Sequence, residues 1–364
     1  MPGHDVIVIG ASAGGIEALK ALVKLLADDL PASLFITLHV PGNGTSVLPK
    51  ILSRVAPFAA HHPEDMEAIE HGRIYIAPPD THLLVKRGHV RLTRGPKENG
   101  FRPAIDPMFR TAARYYGHRV VGVILSGTLD DGTAGMIAIK KQGGIAIAQD
   151  PDEALYNGMP LSAIENAGVD YVAPLSEIAS ILIRLANEPI EEGEEPVSDD
   201  MELESDISEL EFDSLHRDRR PGSPSRFSCP ECNGVLWEID DENLLRFRCR
   251  VGHAYSAETL LAEQSDAVEA AMWAALRALE ENVALMSRLA DRMRRRGHEK
   301  TAERFEAQAR DADNRAEVLR QTLITRPALD PAEPDPQRAD LPGSEAQLKA
   351  EALPAQGGGQ AGND

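Results

Sequence analysis

The sequence predicts an α/β protein: a doubly wound, mostly parallel sheet, followed by a small zinc-ribbon-like β hairpin and a C-terminal helical hairpin. Three observations predict it. Apolar runs of strand length recur at residues 6–9, 34–40, 72–77, 120–125 and 144–148, with helical patterns between them. Such runs mark strands buried on both faces, as in parallel sheets. The three cysteines all lie between residues 229 and 249, which suits a metal site better than a disulfide framework. From about residue 257 apolar residues follow a 3–4 spacing, broken at Gly297.

In chain order, Val6-Ile7-Val8-Ile9 forms the first strand. Gly10-Ala11-Ser12-Ala13-Gly14-Gly15 turns the chain, and Ile16, Leu19, Leu22, Val23 and Leu26 give the next helix one apolar face. A Gly-x-Ser-x-Gly turn between strand and helix is the pattern that leaves a serine hydroxyl exposed at a strand end. An ordinary βα turn and a dinucleotide-type phosphate turn are the competing readings. Against the latter, Ser12 occupies the place of the middle glycine, and no acidic residue ends the second strand. The second strand carries His39 near its C-terminal end, and Thr45-Ser46 open a helix through Leu48 and Leu52. A third strand at 72–77 is stopped by Pro78-Pro79, which cannot continue a ladder. Residues 82–95 read as a hairpin turning near Arg87-Gly88, and 107–116 as a helix. The strand at 120–126 runs into the polar turn Gly127-Thr128-Leu129-Asp130-Asp131-Gly132, with a helix from Ala134. A strand at 144–148, a short edge strand at 170–173 and a helix to Leu185 complete the domain.

In doubly wound sheets, ligands bind beyond the carboxyl ends of the strands. Ser12, His39 and Asp130 or Asp131 each follow a different strand at that end. A serine hydroxyl becomes nucleophilic when histidine takes its proton and a carboxylate fixes the histidine tautomer. Taken singly, His39 reads better as a strand-end histidine and either aspartate as a helix N-cap; the three together, at three strand ends, favour the triad. The order Ser…His…Asp also differs from the three common triad orders.

Over residues 5–186 the chain resembles the catalytic domain of the chemotaxis protein-glutamate methylesterases, the CheB family. Gly10-Ala11-Ser12-Ala13-Gly14-Gly15 resembles that family's GASTGG turn, His39-Val40-Pro41 its His-x-Pro segment, and residues 75–83 its YIAPPGxHL stretch. Arg102-Pro103-Ala104-Ile105-Asp106 resembles its RPSVD stretch, residues 126–132 its TGMGxDG loop, and Gly158-Met159-Pro160 its GMP turn. The resemblance implies Ser12 as nucleophile, His39 as base and Asp131, rather than Asp130, as the triad acid. It implies hydrolysis of glutamate γ-methyl esters on receptor helices, glutamine deamidation by the same acyl-enzyme route, and no metal for catalysis. Ala13 is expected to offer its backbone N–H to the oxyanion, with Thr128 in the active-site loop. Ala13 stands where the family has Thr, and Thr128-Leu129 where it has Met-Gly. The phosphoacceptor receiver that precedes many family members is expected to be absent.

Residues 188–215 hold thirteen Asp or Glu and no Lys or Arg. The preferred reading of 187–225 is a solvated acidic linker. A short docking helix from Met201 to Phe212, where Leu203, Ile207 and Leu210 interleave with acids, is the competing one. Over 226–256, Cys229-x2-Cys232 and Cys249-x3-His253 place three thiolates and an imidazole at the spacing of a structural zinc site, with two alternating segments between them as a hairpin. The competing readings are a coincidence of cysteines or a redox pair at Cys229 and Cys232. Residues 257–325 read as a helical hairpin or coiled coil suited to docking or regulation, and 326–364, rich in Pro, Ala and Gly, as a disordered tail.

A net charge of −20 argues against nucleic-acid binding, and no long apolar run predicts membrane insertion, so a cytoplasmic protein is expected. The expected partners are methyl-accepting chemoreceptors or related signalling proteins, with a methyltransferase or separate regulator beside them. The rival function is a non-catalytic adaptor that uses the esterase fold and C-terminal module for docking.

Overall fold

The structure is a computed structural model. It describes residues 3–325 apart from positions 43, 45, 191, 192, 194, 211–221 and 242. The readings on Thr45, Phe212 and the tail at 326–364 lie outside the described residues. Along the first half run β1 (Val6–Ala11), β2 (Ser33–Leu38), β3 (Ala59–His61), β4 (Arg73–Ile76), the hairpin β5 (His82–Lys86) and β6 (His89–Thr93), then β7 (Val120–Ile124), β8 (Ile145–Gln149) and β9 (Tyr171–Ala173). Seven of them form one sheet in the order β3-β4-β2-β1-β7-β8-β9, and every pairing in it is parallel. From β1 the chain winds outward one way through β2, then resumes at β7 and winds the other way. The order therefore reverses between β1 and β7, where doubly wound sheets place their ligands.

Side-chain alternation along β1 builds two cores, one on each face of the sheet. Ile7, Ile9 and Ala11 point to the layer made by α1 (Gly15–Lys24), α2 (Leu48–Leu52) and α6 (Leu175–Asn187). Val6 and Val8 point to the layer made by α3 (Ile105–Tyr116), α4 (Thr133–Lys141), α5 (Gly158–Asn166) and the hairpin β5–β6. β1 is buried at every position, so its near-continuous apolar run is what a central parallel strand requires.

Two elements of this half were not foreseen. β3 has only three residues, too few for a periodic signal. The segment read as a Gly-Met-Pro turn starts α5, with Pro160 in the first turn, where a missing N–H costs nothing.

Within the acidic linker expected over 187–225, one described stretch is packed and not solvated. Asp199–Glu209 is a helix, α7, capped by Ser198, whose side chain accepts from the Met201 amide. Met201, Leu203 and Ile207 are buried, and so are Glu204 and Glu209. The acids are buried because they have cationic partners: Glu204 accepts from Arg246 and Arg248, and Glu209 pairs with Lys86 at 2.6 Å.

The zinc-ribbon-like segment is likewise more than a hairpin. β10 (Ser223–Ser228), β11 (Val235–Asp241), β12 (Leu244–Cys249) and β13 (Ala254–Ser256) form a four-stranded antiparallel sheet. The chain continues into α8 (Ala257–Arg295) and, after Gly297 at φ 77°, α9 (Glu299–Thr325). Ala302, Ala309 and Ala316 form a buried heptad-spaced seam against α8, and Arg320–Glu280 and Arg294–Glu306 tie the two helices. Sheet, module and hairpin belong to one packed unit, Met1–Ala328. No helix among the described residues is long and apolar enough to cross a membrane.

Candidate active site

β1 ends at Ala11, and Gly14 then turns the chain into α1 at φ 72°, a conformation that glycine adopts without strain. This sharp turn leaves Ser12 half-buried at the strand end. β2 delivers His39 one residue past its last residue, Leu38, with the His39 amide bonded to the Ala11 carbonyl at 3.2 Å. The loop after β7 carries Asp131 to the head of α4.

These three residues form a hydrogen-bonded chain. Ser12 Oγ lies 3.0 Å from His39 Nδ1, and His39 Nε2 lies 2.7 Å from Asp131 Oδ2. In this chain Ser12 donates to Nδ1, and Nε2–H donates to the carboxylate. The ring is thus used in the opposite sense from the familiar triad, where Nε2 faces the serine. Either nitrogen can serve as base once the other carries the proton. The His39 and Asp131 side chains are 5% and 2% exposed, so the pair works away from water.

Asp131 is held from several sides. Its Oδ2 accepts from the Ile105 amide at 2.7 Å and its Oδ1 from Asn99 Nδ2 at 2.9 Å, at the N-terminus of α3. Burial works to raise its pKa, but the bonds from His39, Ile105 and Asn99 hold it below the usual carboxylate range. The neighbouring Asp106 has the opposite fate: burial, then Asp131 and Glu98, push its carboxyl well above that range. Asp130 faces away from His39. It accepts from Ser256 Oγ at 2.7 Å and Thr259 Oγ1 at 2.9 Å, and burial raises its carboxyl to about 6. Of the two aspartates that the residue pattern left open, Asp131 is therefore the one beside the histidine.

The flanking loop is fitted tightly. A Cβ on Gly127 would sit 2.0 Å from Met159 Sδ and 2.9 Å from Ser12 Cβ. Ser126 bonds the serine turn twice: its carbonyl accepts from the Ser12 amide, and its hydroxyl donates to the Ala13 carbonyl at 2.8 Å. Ala13 and Thr128 are both half-buried at this rim. Leu129 lies at φ 59°, so a leucine occupies a left-handed position where the resembling family has glycine. Leu155 and Tyr156 stand exposed beside the turn. Asn99 and Phe101 were not foreseen as site residues. The Phe101 ring stacks on His39 at 3.6 Å and 7°. The Asn99-Gly100 pair just before Arg102 was the available signal, since Asn-Gly marks a turn that can project a side chain into a site.

The profile of the CheB methylesterase family matches residues 7–182. A Leptospira interrogans protein named putative protein-glutamate methylesterase/protein-glutamine glutaminase is 37% identical over 190 residues, which are 52% of this chain and 98% of that protein. The chain belongs to the CheB methylesterase family. A Pyrococcus horikoshii protein named protein-glutamate methylesterase/protein-glutamine glutaminase is 37% identical over 188 residues, 50% of this chain and 51% of that protein. A Paramagnetospirillum magneticum CheB relative of the same name, numbered 1, reaches 41% over 187 residues, 50% of this chain and 49% of its own length. The chain thus spans about half the length of these two curated relatives. The crystal structure of the Thermotoga maritima CheB methylesterase catalytic domain is 36% identical, with a TM-score of 0.48, covering 50% of this chain and 98% of that one. The family match ends at residue 182 of this CheB family member.

In the C-terminal half, Cys229, Cys232, Cys249 and His253 converge, and their four donor atoms lie within 4.8 Å of one another. Cys229 and Cys249 Sγ are each 3.6 Å from His253 Nδ1, and Cys232 and Cys249 Sγ are 3.6 Å apart. The edge of a tetrahedron of thiolates around zinc is about 3.8 Å, from a Zn–S distance near 2.3 Å. The donor set therefore fits a tetrahedral metal ion.

Proposed function

We propose that this chain is a protein-glutamate methylesterase that hydrolyses glutamate γ-methyl esters on the cytoplasmic helices of methyl-accepting chemoreceptors, and deamidates glutamine there by the same route. The observation that carries this reading is the Ser12–His39–Asp131 hydrogen-bonded chain at the β1/β7 reversal of the sheet. Ser12 Oγ attacks the ester carbonyl while His39 Nδ1 takes its proton. The tetrahedral oxyanion is held by backbone N–H groups that include that of Ala13, the residue after the nucleophile. The C–O bond to the methoxy group breaks, His39 protonates it, and methanol leaves. Water then attacks the acyl-enzyme with His39 again as base, releasing the glutamate carboxylate and restoring Ser12. Asp131 keeps the Nε2–H tautomer and stabilises the imidazolium at both stages. Exposed Leu155 and Tyr156, with Thr128, line the side from which a receptor helix would approach.

In this reading residues 1–186 are the catalytic domain and residues 226–256 a structural metal module. Cys229, Cys232, Cys249 and His253 hold zinc with all four protein donors, which leaves no open position for chemistry. The substrate places the protein in the cytoplasm, with a methyltransferase or separate regulator working on the same receptors.

The test is methanol release from a methylated receptor cytoplasmic fragment by wild type, Ser12→Ala and His39→Ala. Release by wild type with loss of about 10⁴-fold or more in each variant is expected, because the members act as a unit. Folded wild-type protein that releases no methanol from several such fragments would return the choice to the adaptor.

A further inference from the structure

The C-terminal module reaches the triad carboxylate through the Asn99 side-chain amide. β13 lies alongside residues 97–99: the Ala254 amide donates to the Lys97 carbonyl at 3.2 Å, and the Asn99 amide to the Ala254 carbonyl at 2.8 Å. The Ser256 amide donates to Asn99 Oδ1 at 3.0 Å. The other end of the Asn99 carboxamide faces the catalytic domain, where Nδ2 donates to Asp131 Oδ1 at 2.9 Å and Asp106 Oδ2 at 3.0 Å. One buried side chain thus joins the module to the carboxylate beside His39. Asn99 sits at φ 51°, a left-handed position that asparagine tolerates better than most residues.

A second contact runs in parallel. Ser256 and Thr259, at the head of α8, both donate to Asp130, the residue bonded covalently to Asp131. The start of β13 is in turn fixed by the Cys/His cluster. His253 immediately precedes it, and the Cys249 amide bonds the His253 carbonyl at 2.9 Å. Lys97, at the other end of the paired segment, makes an ion pair with Glu231, which lies between Cys229 and Cys232. From cluster to catalytic site there is therefore a continuous path: Cys249 and His253, β13, Asn99, Asp131, His39.

We propose that Asn99 is a positioning residue for the esterase and that the Cys/His module holds it in place, so that the order of the metal-binding turn governs the geometry of Asp131 and His39. The proposal rests on the methylesterase reading for its kinetic arm only. Cys229, Cys232, Cys249 and His253 would hold a metal ion, which would fix the turn from which β13 departs. The residues of this chain do the rest: β13 orients the carboxamide, and the carboxamide donates to the one carboxylate oxygen that His39 and Ile105 leave free.

The test uses the full chain and two substitutions. Asn99→Gly removes the carboxamide without strain at positive φ, and Cys249→Ser removes a ligand. Two quantities are read: methanol release with kcat and KM separated, and the proton NMR resonance of the His39 Nε2–H that is shared with Asp131. For Asn99→Gly, kcat is expected to fall about 10- to 100-fold with KM within about two-fold, as for a misplaced catalytic group. The His39 resonance should shift or vanish while far-ultraviolet circular dichroism stays that of wild type. Cys249→Ser should lose bound zinc, measured by atomic absorption, and disturb the same resonance. The double variant should be no worse than the worse single one, because both act on one path. A wild-type resonance and kcat in either variant, or fully multiplicative losses in the double variant, would overturn the proposal. The resonance is readable in a chain that releases no methanol, so failure of the esterase reading and failure of this coupling give different results.

Discussion

Glu204 offers a sharp test of how the acidic helix is held. Its carboxylate accepts from Arg246 Nη1 at 2.9 Å and Arg248 Nε at 3.2 Å, with Arg110 at 3.9 Å. Glu98 takes Arg110 at 2.6 Å and Arg248 at 3.1 Å, and Asp241 takes Arg246. Three guanidinium groups thus face three carboxylates. The Arg110, Arg248, Glu98 and Glu204 side chains are each at most 5% exposed. A surface pair would contribute under about 1 kcal/mol. Here, Glu204→Ala leaves buried cations without a counter-charge, and a cost of about 3–5 kcal/mol follows. That is two to nearly four decades in the unfolding equilibrium. Removing both partners in Glu204→Met/Arg248→Met should recover most of it, to within about 2 kcal/mol of wild type, because Glu98 keeps Arg110 and Arg246 keeps Asp241. Urea unfolding followed by tryptophan emission is the assay. The two tryptophans, Trp237 and Trp273, both lie in β11 or α8, so emission reports on the part this network secures. A Glu204→Ala loss below about 1 kcal/mol would mean a hydrated network, and would refute the reasoning.

The same network sets an acid response. Burial would raise Glu98 and Glu204, but the arginines hold both below the ordinary value. Depressed carboxylates contribute stability that is complete above the unfolded value, about 4.3, and lost as pH falls below it; acid titration of the tryptophan signal should therefore stay flat down to that point and then drop. Gly127→Ala should cut kcat by about 100-fold in the methanol assay, since the added methyl must displace Ser12 or Met159. Phe101→Ala should weaken the support of the His39 ring by about 1 kcal/mol, read as a roughly five-fold lower kcat/KM. Leu129→Gly should raise the urea midpoint by the equivalent of about 1 kcal/mol, because the leucine holds a left-handed φ; a lowered midpoint would count against strain there.

Much of the catalytic half could be read from residue order, because its signals are local. β1 is a run of β-branched residues, α1 has one apolar face, Ser12 and His39 directly follow strands, and Asp131 sits in the loop after β7. The residue pattern alone could not choose between Asp130 and Asp131, and the structure separates them by their partners, His39 for one and Ser256 with Thr259 for the other. What stayed hidden depends on distant partners. An acidic stretch reads as solvated until Arg246 and Arg248, more than forty positions away, are folded against Glu204. Asn99 reads as a turn residue until Ser256, 157 positions on, meets its carboxamide. β3 and the start of α5 were too short or too rich in Gly and Pro for periodicity to register.

The alanine seam of the C-terminal hairpin has a mechanical consequence. Small side chains at 302, 309 and 316 let two long helices lie close along their length. At 1.5 Å per residue, the 39 residues of α8 extend about 58 Å. One end of that rod rests on Asp130, and the other reaches the Gly297 turn. The Gly297 turn and the Asp130 contact are thus kept apart by a stiff span of helix and not by a floating tether.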